Sequence, residues 1–252
     1  MHERMIITKI NKTLWLFISL LFLCCSCSKT VSDVAASEFE PIDKSLNCEE
    51  ILLECADELH TVMTEYLSYD KSRLVFELGD VYPKQRQAET YRVISDELKS
   101  YDDFANIFSG SISRDYLDVI CSGTPRLQDI DGALYFTESV GGYLGTLETW
   151  YLGCDITDYE IIGHFALLGG VEDEGLSDAE YLNNEENYDF YDIVVRNCNG
   201  KYLLTDCRGS DEKRLYYRLH GWCYNSGKAD RSLVTNEKVK PKNNGVYYVS
   251  IS

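Results

Sequence analysis

The chain has 252 residues, with 42 acidic against 24 basic side chains and a formal net charge of −18. A balance this negative repels nucleic acid and anionic lipid headgroups, which excludes nucleic-acid binding and favours basic partners. Past the first 28 residues no stretch reaches the ~20 apolar residues of a membrane span, and the length suits one domain with extensions.

Arg4, Lys9 and Lys12 precede a continuous apolar run over 14–23, and Cys24, Cys25, Ser26 and Cys27 follow. A basic start, an apolar run of ~10 residues and small residues at its end make an export signal, too short for a transmembrane anchor. The boundary resembles the lipobox of bacterial lipoproteins, in which the cysteine after the cut is diacylated. That resemblance makes Cys27, between Ser26 and Ser28, the expected lipidation site. Cys24 stands where the pattern carries Leu, so Cys25 is the other candidate, and a cysteine-rich secretory signal is the other reading. Removal of residues 1–26 leaves 226 with a net charge near −20. The expected location is extracytoplasmic, with the membrane touched through the lipid only.

Residues 27–45 are polar and aperiodic, as a tether is. A domain is expected over 46–208 and a C-terminal extension over 209–252. Asn47 reads as an N-cap with Glu50 at the capping-box position. Leu52, Cys55, Ala56, Leu59, Val62, Met63, Tyr66 and Leu67 then repeat at helical spacing, which predicts about six turns. A polar segment over 79–89 leads to a strand over 91–98. Ser100 with Asp103 caps a short helix, and Ser113 starts another that ends at Gly123. Strands over 127–130 and 133–139 flank Asp131-Gly132, and Asn199-Gly200 joins strands over 188–198 and 201–207; both dipeptides are strong hairpin signals. Further strands are expected over 146–152, 159–168 and 246–251. An acidic loop over 169–187 carries Glu172, Asp173, Glu174, Asp178, Glu180, Glu185 and Glu186. A long helix followed by antiparallel strands predicts an α+β fold, one curved sheet wrapping the helix.

Candidate chemistry is sparse. Seven cysteines follow Cys27, and neither local pair, Cys48 with Cys55 nor Cys198 with Cys207, has disulfide geometry, so any disulfide is long-range. His60 reads as a solvated helix residue, while His164 and His220 are far from it in sequence. A Cys–His pair remains open in principle, because its members need only meet in space. No spacing supports zinc, the acidic loop lacks the alternation of a calcium loop, and Gly141, Gly142 and Gly145 lack the Lys of a phosphate loop. No metal, no cofactor and no catalytic residue is therefore expected. Tyr143 and its neighbours Tyr135, Trp150, Tyr151 and Tyr159 suit either a half-buried strand or an aromatic contact surface.

The order of these elements, with Tyr91-Arg92-Val93, Ser100-Tyr101-Asp102-Asp103-Phe104, Ile130-Asp131-Gly132-Ala133-Leu134-Tyr135 and the closing 200–206 strand, resembles a group of bacterial lipoproteins. These have a cystatin-like or nuclear-transport-factor-like domain, and the group is similar to the IseA family of DL-endopeptidase inhibitors. The resemblance covers roughly 49–208 and rests on caps and turns. It implies a long N-terminal helix on a curved antiparallel sheet and a monomeric, non-catalytic binding protein. The implied partner is a cell-wall hydrolase, a peptidoglycan endopeptidase that an acidic loop holds in check. Glu172, Asp173, Glu174, Asp178 and Tyr143 are the expected contacts. The alternative is a small-ligand-binding lipoprotein using a pocket between helix and sheet. A deep apolar pocket there would favour it, whereas an inhibitor calls for a filled core and projecting loops.

Overall fold

The computed structural model describes residues 39–83, 88–123, 125–138, 146–169, 176–209, 229–242 and 246–247. The chain divides into the units Met1–Glu40 and Pro41–Ser252, and the described helices and strands lie in the second. Cys27, Tyr143, Glu172, Asp173, Glu174, His220 and Cys223 lie outside the described residues.

Helix α1 (Cys48–Thr61) begins where the Asn47 side chain accepts from the Glu50 amide at 3.4 Å and donates to the Glu50 carboxylate at 3.0 Å. Leu52, Cys55, Ala56 and Leu59 bury one stripe and leave the acidic residues outside. The six turns that the pattern predicts shorten to a 14-residue α-helix. At Val62–Tyr66 it widens into one π turn, closed by the Leu67 amide on the Val62 carbonyl at 2.9 Å. Two features favour the widening. The Thr64 hydroxyl donates to the His60 carbonyl at 2.7 Å and competes for it with the helical ladder. The extra residue also keeps Val62, Met63 and Leu67 buried together, so apolar periodicity continues after α geometry has stopped.

The fold is α+β, with two antiparallel sheets in place of the single sheet expected. The first sheet contains β1 (Glu77–Val81), β2 (Thr90–Ile94), β3 (Arg126–Ile130) and β4 (Ala133–Thr137) in the order β1-β2-β4-β3. Strand β1 occupies part of the segment read as polar loop; its residues are mostly exposed, so no burial alternation marks it. Strand β2 stops at Ile94 because the Ser95 hydroxyl gathers the Glu97 and Leu98 amides, both at 3.2 Å, into a turn. The β3–β4 hairpin forms as expected, with Asp131 at φ 50° and Gly132 at φ 79°. Strand β4 is bonded on both edges, to β2 and β3, so the strand that follows it starts a new sheet.

That second sheet contains β5 (Thr146–Ile156), β6 (Ile161–Gly169), β7 (Tyr188–Cys198), β8 (Lys201–Gly209) and β9 (Val246–Tyr247), ordered β8-β7-β6-β5-β9. Between β2 and β3 in sequence come α2 (Tyr101–Ile107), with a complete Ser100–Asp103 capping box, and α3 (Arg114–Cys121), capped by Ser113. The turn joining α2 and α3 is tied to β8 by Ser113 amide to Leu204 carbonyl at 2.9 Å and Leu204 amide to Ser111 carbonyl at 2.7 Å.

The C-terminal half of strand β6 is buried on both faces. Ile161, Phe165 and Leu167 face the main core, with α1, Phe104, Phe136, Tyr191, Ile193 and Leu204. Ala166 and Leu168 face a second cluster, built from Trp150, Leu182, Tyr188, Val234 and Val239. The second cluster depends on residues 229–242, part of the expected C-terminal extension, and on α4 (Asp178–Asn183) within the acidic loop. Asn183 joins the two. Its Oδ1 accepts from the Thr235 and Asn236 amides at 2.7 and 2.8 Å, and its Nδ2 donates to the Leu233 carbonyl at 2.8 Å.

Candidate functional site

The space between α1 and the second sheet is filled. Leu52, fully buried, lies over Gly163 of β6, where a Cβ would fall 2.2 Å from Leu52 Cδ2. Ala56, Leu59, Val62 and Met63 are buried as well. The described clefts lie elsewhere. One, of about 950 Å³, opens at the end of the first sheet and is lined by Val75, Glu77, Gly79, Arg92, Ile94 and Lys99 among others. The second, about 660 Å³ and shallow, runs along the outer face of α1 between Asn47, Glu49, Glu50, Leu53, Glu54 and Asp57. The solvent side of the first helix is thus a carboxylate ridge interrupted by one leucine.

A polar cluster lies on the outer face of the second sheet. His164 of β6 pairs with Asp192 of β7, and its Nδ1 is 2.7 Å from Asp192 Oδ1; its Nε2 is 3.2 Å from Asp155 Oδ2 on β5. Partial burial opposes a charge on the imidazole, but the bonds to Asp192 and then Asp155 outweigh it and raise the pKa above the ordinary 6.5. Beside this clamp Glu160 accepts from Arg196 Nε at 3.0 Å and from Arg208 Nη2 at 3.2 Å. Burial pushes the Glu160 carboxyl up, and the two guanidiniums more than reverse it, so its pKa is lowered. Lys242 closes the same face; its side chain runs against Gly153, whose φ of 127° and missing Cβ leave room for it.

This cluster can hold charge and change it with pH. Both ring nitrogens of His164 are bonded to carboxylates, so neither is free to ligate a cation, and no metal-holding group of His, Cys, Asp or Glu occurs among the described residues. A Cys–His pair does not form at His164. Cys154 pairs with Gly163 and Cys207 with Ile193, so both project from the opposite face of the sheet. All six described cysteines are free thiols, and burial raises Cys55, Cys121 and Cys207 to about 12. Such thiols are not nucleophiles near neutral pH.

His60 departs from its expected solvated position. Its Nε2 is buried, and desolvation lowers its pKa to about 4. Asp178, the one expected partner contact among the described residues, is in the first turn of α4. The capping box Ser177–Glu180 starts that helix, with Ser177 Oγ donating to the Glu180 carboxylate at 2.7 Å. The sequence carries that signal as Ser-Asp-Ala-Glu, but its acidic surroundings read as loop. The His164 clamp has no local signature, because its three members come from three strands. No helix of the described residues is long and apolar enough to cross a membrane. Compared with known proteins, the chain matches no family model and no curated protein.

Proposed function

We propose that this chain is a lipid-anchored extracytoplasmic binding protein that recognises its partner on its surface, and that the partner class is a cell-wall peptidoglycan endopeptidase. The observation that carries the reading is the filled interface between α1 and the second sheet, where Leu52 occupies the place of a Gly163 side chain. A protein with no space there presents its recognition surface outside, and the outside is acidic. The ridge Glu49, Glu50, Glu54 and Asp57 and the first turn of α4 both offer carboxylates on helices held by buried residues. Helix α4 is also fixed to residues 233–236 through Asn183, so the acidic segment ends on a rigid base. Fixed carboxylates lose little freedom on meeting a basic cleft, and long-range attraction raises the association rate. The small-ligand reading has less support, because the pocket it requires between helix and sheet is occupied by side chains.

The test is capture of cell-wall hydrolases by the immobilised mature protein at low and high salt, followed by an endopeptidase assay on purified peptidoglycan. Retention that weakens as salt rises, with slowed peptide cleavage, is the expected result. A hydrolase fraction that passes unretained at low salt sinks the proposal.

A further inference from the structure

We propose that Cys48 and Cys154 are a latent cross-link: on meeting a small disulfide they form an intramolecular bond that fastens the first turn of α1 to β5. The pairing follows from register. Leu52 lies over Gly163, and Gly163 is the direct partner of Cys154 across β5 and β6, so Cys154 projects from the sheet face that α1 covers. Cys48 is one helical turn before Leu52 on the same stripe, buried with 4% of its surface exposed. Both belong to the same core, Cys48 as a member and Cys154 packed against it. The missing side chain at Gly163 brings the helix nearer the sheet than any other residue there would allow, which favours the approach of ~7 Å between Cα atoms that a disulfide requires. After burial itself, Cys154 is the group whose charge most raises the Cys48 pKa, ahead of Asp43.

The other buried thiols are engaged elsewhere. Cys55 faces the Tyr202 carbonyl at 3.8 Å, Cys121 bonds with Tyr101, and Cys207 bonds with Tyr116. Cys154 is half-buried and is the accessible member of the pair. As its thiolate it attacks one sulfur of an oxidised glutathione, forming a mixed disulfide and releasing one glutathione thiol. Cys48 then attacks the Cys154 sulfur and releases the second. One disulfide is reduced, two protein thiols are oxidised, and the two thiol protons leave on the two glutathione molecules.

The experiment exposes the folded mature chain to oxidised glutathione, alkylates it, and maps its peptides by mass spectrometry. Wild type is expected to lose two alkylatable thiols and to yield one peptide joining Cys48 to Cys154. Its urea midpoint should rise on oxidation and fall back with dithiothreitol. Cys48→Ser is expected to stop at a glutathione adduct on Cys154, and Cys154→Ser to leave Cys48 unmodified until the chain unfolds. Recovery of Cys48 and Cys154 on separate peptides from oxidised wild type, or of either joined to a different cysteine, overturns the assignment. The wild-type map decides the matter even if a serine variant folds poorly.

Discussion

Replacing Gly163 by Ala tests the helix–sheet contact directly. The new methyl would stand 2.2, 2.6 and 2.8 Å from Leu52 Cδ2, Cδ1 and Cγ, where unstrained carbon contacts are ~3.5 Å or more. Leu52 must therefore retreat by about 1 Å, and it is fully buried among core neighbours with nowhere to go. Overpacking of this kind costs ~1–3 kcal/mol, offset in part by the ~0.4–1 kcal/mol that Ala for Gly gains from a stiffer unfolded chain. A net loss of about 1–2 kcal/mol is expected. Leu52→Ala alone removes a core side chain and costs ~2–5 kcal/mol. In the double variant the methyl introduced at position 163 enters the volume that Leu52 leaves, so its loss should be smaller than the sum by about 1–2 kcal/mol. Urea unfolding followed by far-ultraviolet circular dichroism measures all four corners of the cycle. Additivity within ~0.5 kcal/mol, or a Gly163→Ala variant as stable as wild type, would refute this packing.

Four further outcomes are expected. His164 has a raised folded pKa, so its contribution to stability is complete below the unfolded value of 6.5 and is lost as pH rises through the folded value; His164→Gln should flatten that part of the stability profile, by a small amount at a site 37% exposed. His60 acts in the opposite sense, since its folded pKa of about 4 withholds stability as pH falls below 6.5, and His60→Gln should resist acid better than wild type in a pH series of melts. Asn183→Ala leaves the Thr235 and Asn236 amides without their acceptor and should cost ~1–3 kcal/mol, with faster proteolytic cutting near residues 229–242 as the independent readout. Cys27→Ser should abolish incorporation of labelled fatty acid in a bacterial host while Cys25→Ser leaves it intact; the reverse pattern would move the modified residue to Cys25.

What the sequence disclosed depended on how local the causes were. The caps at Asn47, Ser100 and Ser113 and the two hairpin turns at Asp131-Gly132 and Asn199-Gly200 are decided within four residues, and all form as read. The end of α1 is harder to read, because Tyr66 and Leu67 keep the apolar repeat while Thr64 diverts a carbonyl and turns α into π geometry. Strand β1 has no hydrophobic face to advertise it, being an exposed edge strand. The split into two sheets is illegible for a different reason: it depends on β4 being bonded on both sides, a property of pairing that no single segment carries. The His164 clamp is the extreme case, with Asp155, His164 and Asp192 each unremarkable in its own strand until pairing aligns them.

The double burial of β6 also bears on the order in which the molecule is built. Neither face of this strand can be covered early: one face awaits β7, β8 and α1 together, and the other awaits residues 233–239 near the end of the described chain. The closing contacts are among the most distant in sequence, as in the bond from Asn197 to the Pro41 carbonyl, which spans 156 residues. A topology that depends on such remote partners folds slowly, and the sheet that α1 covers is complete only after β8 has been made. Hydrogen exchange should accordingly find the amides of 165–168 the last to open, and a nascent chain ending before β7 should remain sensitive to protease along its whole length.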